Sequence, residues 1–199
     1  MVAQPSQPKF MSIEEFRVLE RANPDAKYEY IDGQAYVMSG GTADHARVSS
    51  NMVRALEDAL GDRPCLVYNS DLHARIGLSR LTLPDVTVTC DERDRGKVTE
   101  IRAPRVIVEV LSPSIETYNR GRKFGYYRAC PTIQEYVLVA TDYQTVEVFR
   151  RTAKGWTEYQ VYGPGDEVEL TSINVRFPLA VLYRRTIVPE VLDEPEGEV

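Results

Sequence analysis

Arg105-Val-Ile-Val-Glu-Val-Leu111 decides the fold. Val106, Val108 and Val110 make one face, and Ile107, Glu109 and Leu111 the other. A strand apolar on both faces is an interior strand, covered above and below. Ser112-Pro113 ends it. A helix is expected over 115–129, capped by Ser114 and closed before Pro131. A second β-like run covers 135–140. Strand, helix, strand in that order is a crossover unit that makes the two strands parallel neighbours.

Working outward, Ser12 and Glu15 form a capping-box pattern, so a short helix is expected over 13–21. Two β-like runs, 28–31 and 35–38, flank Asp32-Gly33, a hairpin turn signal. Gly40-Gly41 breaks the second run. Val48, Met52, Leu56 and Leu60 recur at helical spacing, and Gly61 stops them, which predicts a helix over 43–60. Short β-like runs follow at 65–68, 71–76 and 85–90, then a charged loop over 91–97. After the crossover, 135–140, 145–150 and 156–161 read as a meander, and 179–184 as a short helix. The pattern defines a mixed α/β domain with one central sheet. The expected organisation is a loose arm over 1–10, one domain over 11–186, and an acidic disordered tail over 187–199.

Composition narrows the function classes. Of the 199 residues, 43% are apolar and 27% charged, as in an ordinary globular chain. No apolar run reaches the roughly 20 residues of a membrane span, and the N-terminus lacks the apolar core of a secretory signal. The three cysteines, Cys65, Cys90 and Cys130, are far apart and odd in number. That spacing supports neither a disulfide framework nor a zinc ribbon. A cytoplasmic location is the expectation. The net charge of −6 argues against a general nucleic-acid coat protein. Much of it is local, because residues 190–199 carry Glu190, Asp193, Glu194, Glu196 and Glu198 without a Lys or Arg.

Glu109 is the most informative residue. A buried, unpaired carboxylate costs several kcal/mol. It needs a cation, a metal or a proton. One reading is a structural ion pair with an arginine such as Arg122 or Arg75; the other is a functional site. Asp85 follows Pro84 and opens the run 85–90, on the face opposite Val86, Val88 and Cys90. Alone, Pro-Asp reads as a turn. Beside a second carboxylate on a buried strand, it becomes a candidate ligand for a hard cation, since Mg²⁺ takes one or two protein carboxylates and keeps several waters. The segment from Thr117 to Cys130 adds four cations, Arg120, Arg122, Lys123 and Arg128, and no acid. Asn119, Lys123 and Tyr127 share one helix face. This helix reads either as a solvated basic face or as a cation beside the carboxylates with a phosphate-contacting surface. Taken together, these residues point to metal-assisted phosphodiester hydrolysis. His45 reads as a surface residue near a helix start, His73 as exposed, Asp71 as a turn residue, and Cys130 and Trp156 as packing residues.

Several segments, in order, carry a family resemblance: Leu83-Pro84-Asp85-Val86-Thr87-Val88, Val108-Glu109-Val110-Leu111-Ser112-Pro113-Ser114, Arg120-Gly121-Arg122-Lys123-Phe124, Tyr127-Arg128 and Gln134-Glu135-Tyr136-Val137-Leu138-Val139. The chain resembles the cyanobacteria-rich family of restriction-endonuclease-like proteins, long catalogued as a domain of unknown function, within the PD-(D/E)XK nuclease superfamily. The Tyr28-Glu29-Tyr30-Ile31-Asp32-Gly33 hairpin and His45 match its layout. The resemblance implies a restriction-endonuclease-like central mixed β-sheet flanked by helices. It maps Asp85 and Glu109 to the two motif acids, with the Val110 carbonyl as a further Mg²⁺ or Mn²⁺ ligand. Leu111 stands where the motif lysine falls, so the resemblance gives that role to Lys123 on the next helix and makes Glu29 an accessory acid. Asn119 and Gln34 stand where relatives carry Asp and Glu.

The implied activity is Mg²⁺-dependent DNA endonuclease, catalysed by Asp85, Glu109, Lys123 and Glu29. Arg120, Arg122, Tyr127 and Arg128 are the candidate nucleic-acid contacts. The alternatives are a non-catalytic nucleic-acid-binding or interaction module on a nuclease-like scaffold, and a structural oligomer whose Glu109 is merely ion-paired. A homodimer is expected, because cutting both strands calls for two sites.

Overall fold

The computed structural model describes residues 10–38, 40–112 and 116–191. Residues 1–9 of the expected arm, the Ser114 cap and residues 192–199 of the expected tail lie outside the described residues. Helix α1 (Ile13–Ala22) starts at Ser12, whose side chain accepts from Glu15 N while the Glu15 carboxylate accepts from Ser12 N: a complete capping box. Strands β1 (Tyr28–Ile31) and β2 (Gln34–Val37) form the expected hairpin. Its turn residues Asp32 and Gly33 have φ of 49° and 92°, the left-handed pair that suits a two-residue hairpin. Helix α2 (Ala43–Leu60) begins at the Thr42 cap and buries Val48, Met52, Leu56 and Leu60.

The remaining strands are β3 (Leu66–Asn69), β4 (His73–Arg75), β5 (Arg80–Thr82), β6 (Val86–Thr89), β7 (Glu100–Ile101), β8 (Pro104–Val110), β9 (Glu135–Val139), β10 (Val146–Thr152), β11 (Gly155–Tyr162), β12 (Glu167–Leu170) and β13 (Val175–Pro178). The six-stranded sheet has the order β11-β10-β9-β8-β6-β3. Within it β8 and β9 are parallel, Val106 opposite Glu135, as the crossover requires. Its other pairs are antiparallel.

Both faces of β8 are covered. Val106, Val108 and Val110 join the core with Val48, Met52 and Leu56 of α2. Ile107 and Leu111 join the opposite core with Tyr127 and Tyr136. That is the layering expected of a strand without a polar face. The crossover itself is α3 (Glu116–Tyr118), a π-helical segment (Asn119–Lys123) and α4 (Phe124–Ala129).

Four expectations need correction. The single central sheet is instead joined by a five-stranded sheet, β2-β1-β5-β4-β7, and the β12-β13 hairpin. Strands β5 and β7 have three and two residues, too short for a periodic signal. Over 179–184 only a 3₁₀ turn forms, Leu179–Val181. Cys65 and Cys90 form a disulfide, S–S 2.01 Å. Register explains it: β3 pairs Leu66 with Thr89, so the flanking cysteines meet across the strands. A separation of 25 residues carries no such information. His73 is buried, with Nε2 2.9 Å from the Tyr28 carbonyl oxygen. Towards the C-terminus, contacts continue past 186: Val188 is buried, and Gln144 donates from its backbone to the Pro189 carbonyl. No helix among the described residues is long and apolar enough to cross a membrane.

Candidate active site

The chain leaves the small sheet at the end of β5 and enters the large one at β6 through Leu83-Pro84-Asp85. This link places Asp85. The β6–β8 register pairs Val86 with Val108, so Asp85 lies opposite Glu109 on one face. The Val110 N–H donates to Asp85 Oδ2 at 2.8 Å. The small sheet delivers Glu29: β1 pairs with β5, and Leu83 N donates to Glu29 Oε1 at 2.9 Å.

Lys123 comes from the crossover. In a regular α-helix, residues four apart drift about 40° around the axis. The wider π turn reduces that drift and keeps Asn119, Lys123 and Tyr127 facing the sheet. All three are buried. The Lys123 ammonium, only 2% exposed, lies 2.9 Å from Glu29 Oε1 and 2.9 Å from Glu109 Oε1. Tyr127 donates its hydroxyl to Glu109 Oε1 at 2.6 Å. Among the described residues no hydrogen bond reaches Glu109 Oε2 or Asp85 Oδ1.

These groups face a cavity of about 260 Å³ that Glu29, His45, Asp85, Glu109, Asn119 and Lys123 help to line. Three carboxylates, Glu29, Asp85 and Glu109, share it with Lys123, Arg122 and His45. Burial pushes the Glu109 carboxyl up to about 7; Asp85 and Glu29 add to the rise, while Lys123 and the Tyr127 hydroxyl oppose it. The Lys123 ammonium is held above the usual lysine range despite burial, by Glu109 and Glu29.

Two residues gain a place that their sequence context did not give them. His45 Nε2 is 3.3 Å from Asp85 Oδ2, and its pKa is raised first by that hydrogen bond, with the Val110 backbone adding to it. A Cβ on Gly41 would come within 2.6 Å of the His45 ring. Gly40-Gly41 breaks the strand pattern, and Gly41 also makes room for the histidine. Asn119 is the second. Its buried Nδ2 has no hydrogen-bond partner among the described residues, and it lines the cavity. Gln34 does not line it; it accepts from the Tyr36 hydroxyl at 2.5 Å.

The expected nucleic-acid contacts separate. Arg122 lines the cavity. Arg120 is committed to Glu116 and, through two bonds, to Glu147. Tyr127 has no exposed surface and serves Glu109 instead. Arg128 lies over the Phe124 ring. The arginine pairs considered for Glu109 do not form: Arg75 binds Glu100. Asp71 is a turn residue paired with Lys27, Cys130 is a buried free thiol, and Trp156 packs edge-on against Phe124.

A six-stranded mixed sheet covered on both faces, with two acids on adjacent strands, defines a restriction-endonuclease-like fold. A crystal structure from Anabaena variabilis, described as "a putative nuclease belonging to DUF820", has the same fold: TM-score 0.64 and 22% identity over 80% of this chain and 90% of that one. The chain belongs to the Uma2 family, described as "Putative restriction endonuclease", whose family model matches residues 13–181. Two Synechocystis proteins, both described as uncharacterized, are similar to it. The protein slr1290 is 39% identical over 159 residues, 79% of this chain and 84% of the relative. The protein sll1609 is 30% identical over 154 residues, 75% of this chain and 86% of the relative.

Proposed function

We propose that this chain is a Mg²⁺-dependent DNA endonuclease whose site is Asp85, Glu109, Lys123 and Glu29. One observation carries the reading: a fully buried lysine bridges two carboxylates brought from separate elements, in a cavity that a third carboxylate also lines. Among the described residues, no group of three His, Cys, Asp or Glu side chains is arranged to hold a metal ion. The donor set still suits Mg²⁺, which binds through one or two carboxylates and retains its waters. Asp85 and Glu109 would hold the ion, each with one oxygen free of hydrogen bonds, and the Val110 carbonyl would complete the set.

A bound divalent ion supplies charge neutralisation at the scissile phosphate and lowers the pKa of the attacking water. The protein does the rest. Lys123 presents a fixed positive charge where negative charge develops in the transition state. Glu29 keeps that ammonium protonated and in place. Tyr127 fixes the Glu109 carboxylate by its hydroxyl. The unpartnered Asn119 Nδ2 offers a donor to a phosphate oxygen, which would remove the desolvation cost of leaving it unpaired, about 1–3 kcal/mol.

The test is cleavage of supercoiled plasmid in Mg²⁺ or Mn²⁺ against EDTA, with Glu109→Ala alongside. Wild type should nick or cut, and the variant should lose about 10³-fold or more. Intact plasmid across the metals, from folded protein, overturns the assignment. A second reading is a nucleic-acid-binding module without turnover. The lack of such a group among the described residues favours it. A salt-sensitive mobility shift with no cleavage in any metal would establish it.

A further inference from the structure

A second concave surface lies on the other flank of α2. On one flank of this helix His45 lines the catalytic cavity, and Ser49 and Val53 line the hollow next to it. Arg47, Asn51 and Arg54 turn away from it into a groove of about 440 Å³, closed on its far side by Arg176, Arg184 and Arg185. Five arginines therefore line one groove in a chain whose net charge is −6. Two have carboxylate partners at the surface: Arg54 with Asp58 at 3.5 Å and Arg176 with Glu169 at 2.6 Å. Arg47, Arg184 and Arg185 are exposed and make no ion pair among the described residues. The groove wall is fixed, because the Asn51 amide donates to the Leu182 and Arg184 carbonyls.

We propose that this arginine groove binds the phosphate backbone of a nucleic acid, as a docking track separate from the catalytic cavity. The proposal rests on the nuclease reading for its substrate class. Three physical points support it. The cations are all arginines, whose planar forked guanidinium matches phosphate oxygens in pairs and gives up its hydration more readily than an ammonium. Arg47 and Arg54 are two helical turns apart, about 10 Å along the axis at about 1.5 Å per residue. Side chains that far apart on one helix flank can reach different phosphates of one strand. Continuity is the third point. Arg47 is two residues from His45, so a polyanion seated at the cavity meets the groove across a single helix.

The test compares wild type with Arg47→Ala/Arg184→Ala/Arg185→Asn. Asparagine is chosen because Arg185 has φ of 61°, which Asn tolerates. Binding of a labelled duplex is measured by fluorescence anisotropy in EDTA, so that no cutting occurs, from low to moderate salt. Thermal melting checks that the variant is folded. The variant should bind about 10- to 100-fold more weakly near physiological salt, and its log–log salt slope should fall by about 2 to 3. Unchanged affinity and slope overturn the groove and leave the cavity reading intact. A wild type that binds but never cuts, with binding lost in the variant, supports the groove and overturns the nuclease. A wild type that binds no duplex even at low salt overturns both. If polyglutamate displaces the duplex as well as unlabelled DNA does at equal charge, the groove is a site for acidic protein and the nucleic-acid assignment falls.

Discussion

Glu135 and Glu109 lie on the adjacent parallel strands β9 and β8, both at 1–2% exposure, and they have opposite fates. Glu135 is saturated. Its two oxygens accept from Arg150 Nε, from the backbone N–H groups of Thr171 and Ser172, and from both of their hydroxyls. Arg150 in turn reaches the Tyr162 hydroxyl and the Glu169 carbonyl. Glu109 accepts two hydrogen bonds, both on Oε1; its Oε2 accepts none among the described residues, and it lines a cavity with two further acids, Glu29 and Asp85. A buried carboxylate is therefore no functional mark in itself. The distinction lies in unfilled acceptor capacity and in neighbouring like charges, which a saturated structural pair avoids.

The comparison can be broken by removing each acid. Glu135→Ala removes the buried partner of Arg150, leaving it only the half-exposed Glu158 as a counter-charge, and should cost about 3–5 kcal/mol in urea denaturation. Glu109→Ala should cost less, about 1.5–3 kcal/mol, because Lys123 keeps Glu29 and the chief loss is the Tyr127 hydrogen bond. Equal losses would mean that Glu109 is as structural as Glu135.

A pH series sharpens it. The folded-state pKa of Glu109, about 7, lies above its ordinary value of 4.5, so the folded protein holds that proton more tightly than the unfolded chain. The resulting stabilisation is complete below 4.5 and is lost as pH rises through 7, on the order of 3 kcal/mol. Glu109→Gln should flatten the denaturation midpoint across that window. A wild-type midpoint already flat between pH 5 and 8 would sink the idea.

The smallest effects come from single donors. Tyr127→Phe removes one of two donors to Glu109 and should cost about 1.5–3 kcal/mol, because the acceptor carries charge. Ser172→Ala leaves Glu135 with Arg150 and three other donors and should cost about 1 kcal/mol. The reverse order, read by thermal or urea melts, would show that saturation does not separate the two sites.

Much of this fold is legible along the chain, for local reasons. The capping box at Ser12, the Asp32-Gly33 turn, the stripe of α2 and the two-faced apolar β8 each span a few residues and obey one period. Glu109 was legible for the same reason: a carboxylate inside such a strand must answer for its burial. Lys123 was less so. The i, i+4, i+8 face shared with Asn119 and Tyr127 marked it as a candidate cation, but in the run Arg120-Gly121-Arg122-Lys123 only the family resemblance gave it the catalytic role. The π turn that buries it has no sequence pattern comparable to a hairpin turn. The contact of His45 with Asp85 and the Cys65–Cys90 bond were illegible, because a helix end meeting a strand end and a strand register are not periodic features.

Local patterns were enough to mark the interior strand, the crossover helix and the two candidate acids. Alternation, caps and turn residues act over a few bonds, so their outcome is written locally. Only the tertiary structure decided the chemistry of those acids. It gave Glu135 a full complement of donors and left Glu109 one open oxygen, and it brought Glu29, His45 and Lys123 from three distant segments to meet Asp85. Hydrogen-bond saturation and charge balance are sums over whatever neighbours the fold assembles, and no short stretch of sequence contains that sum.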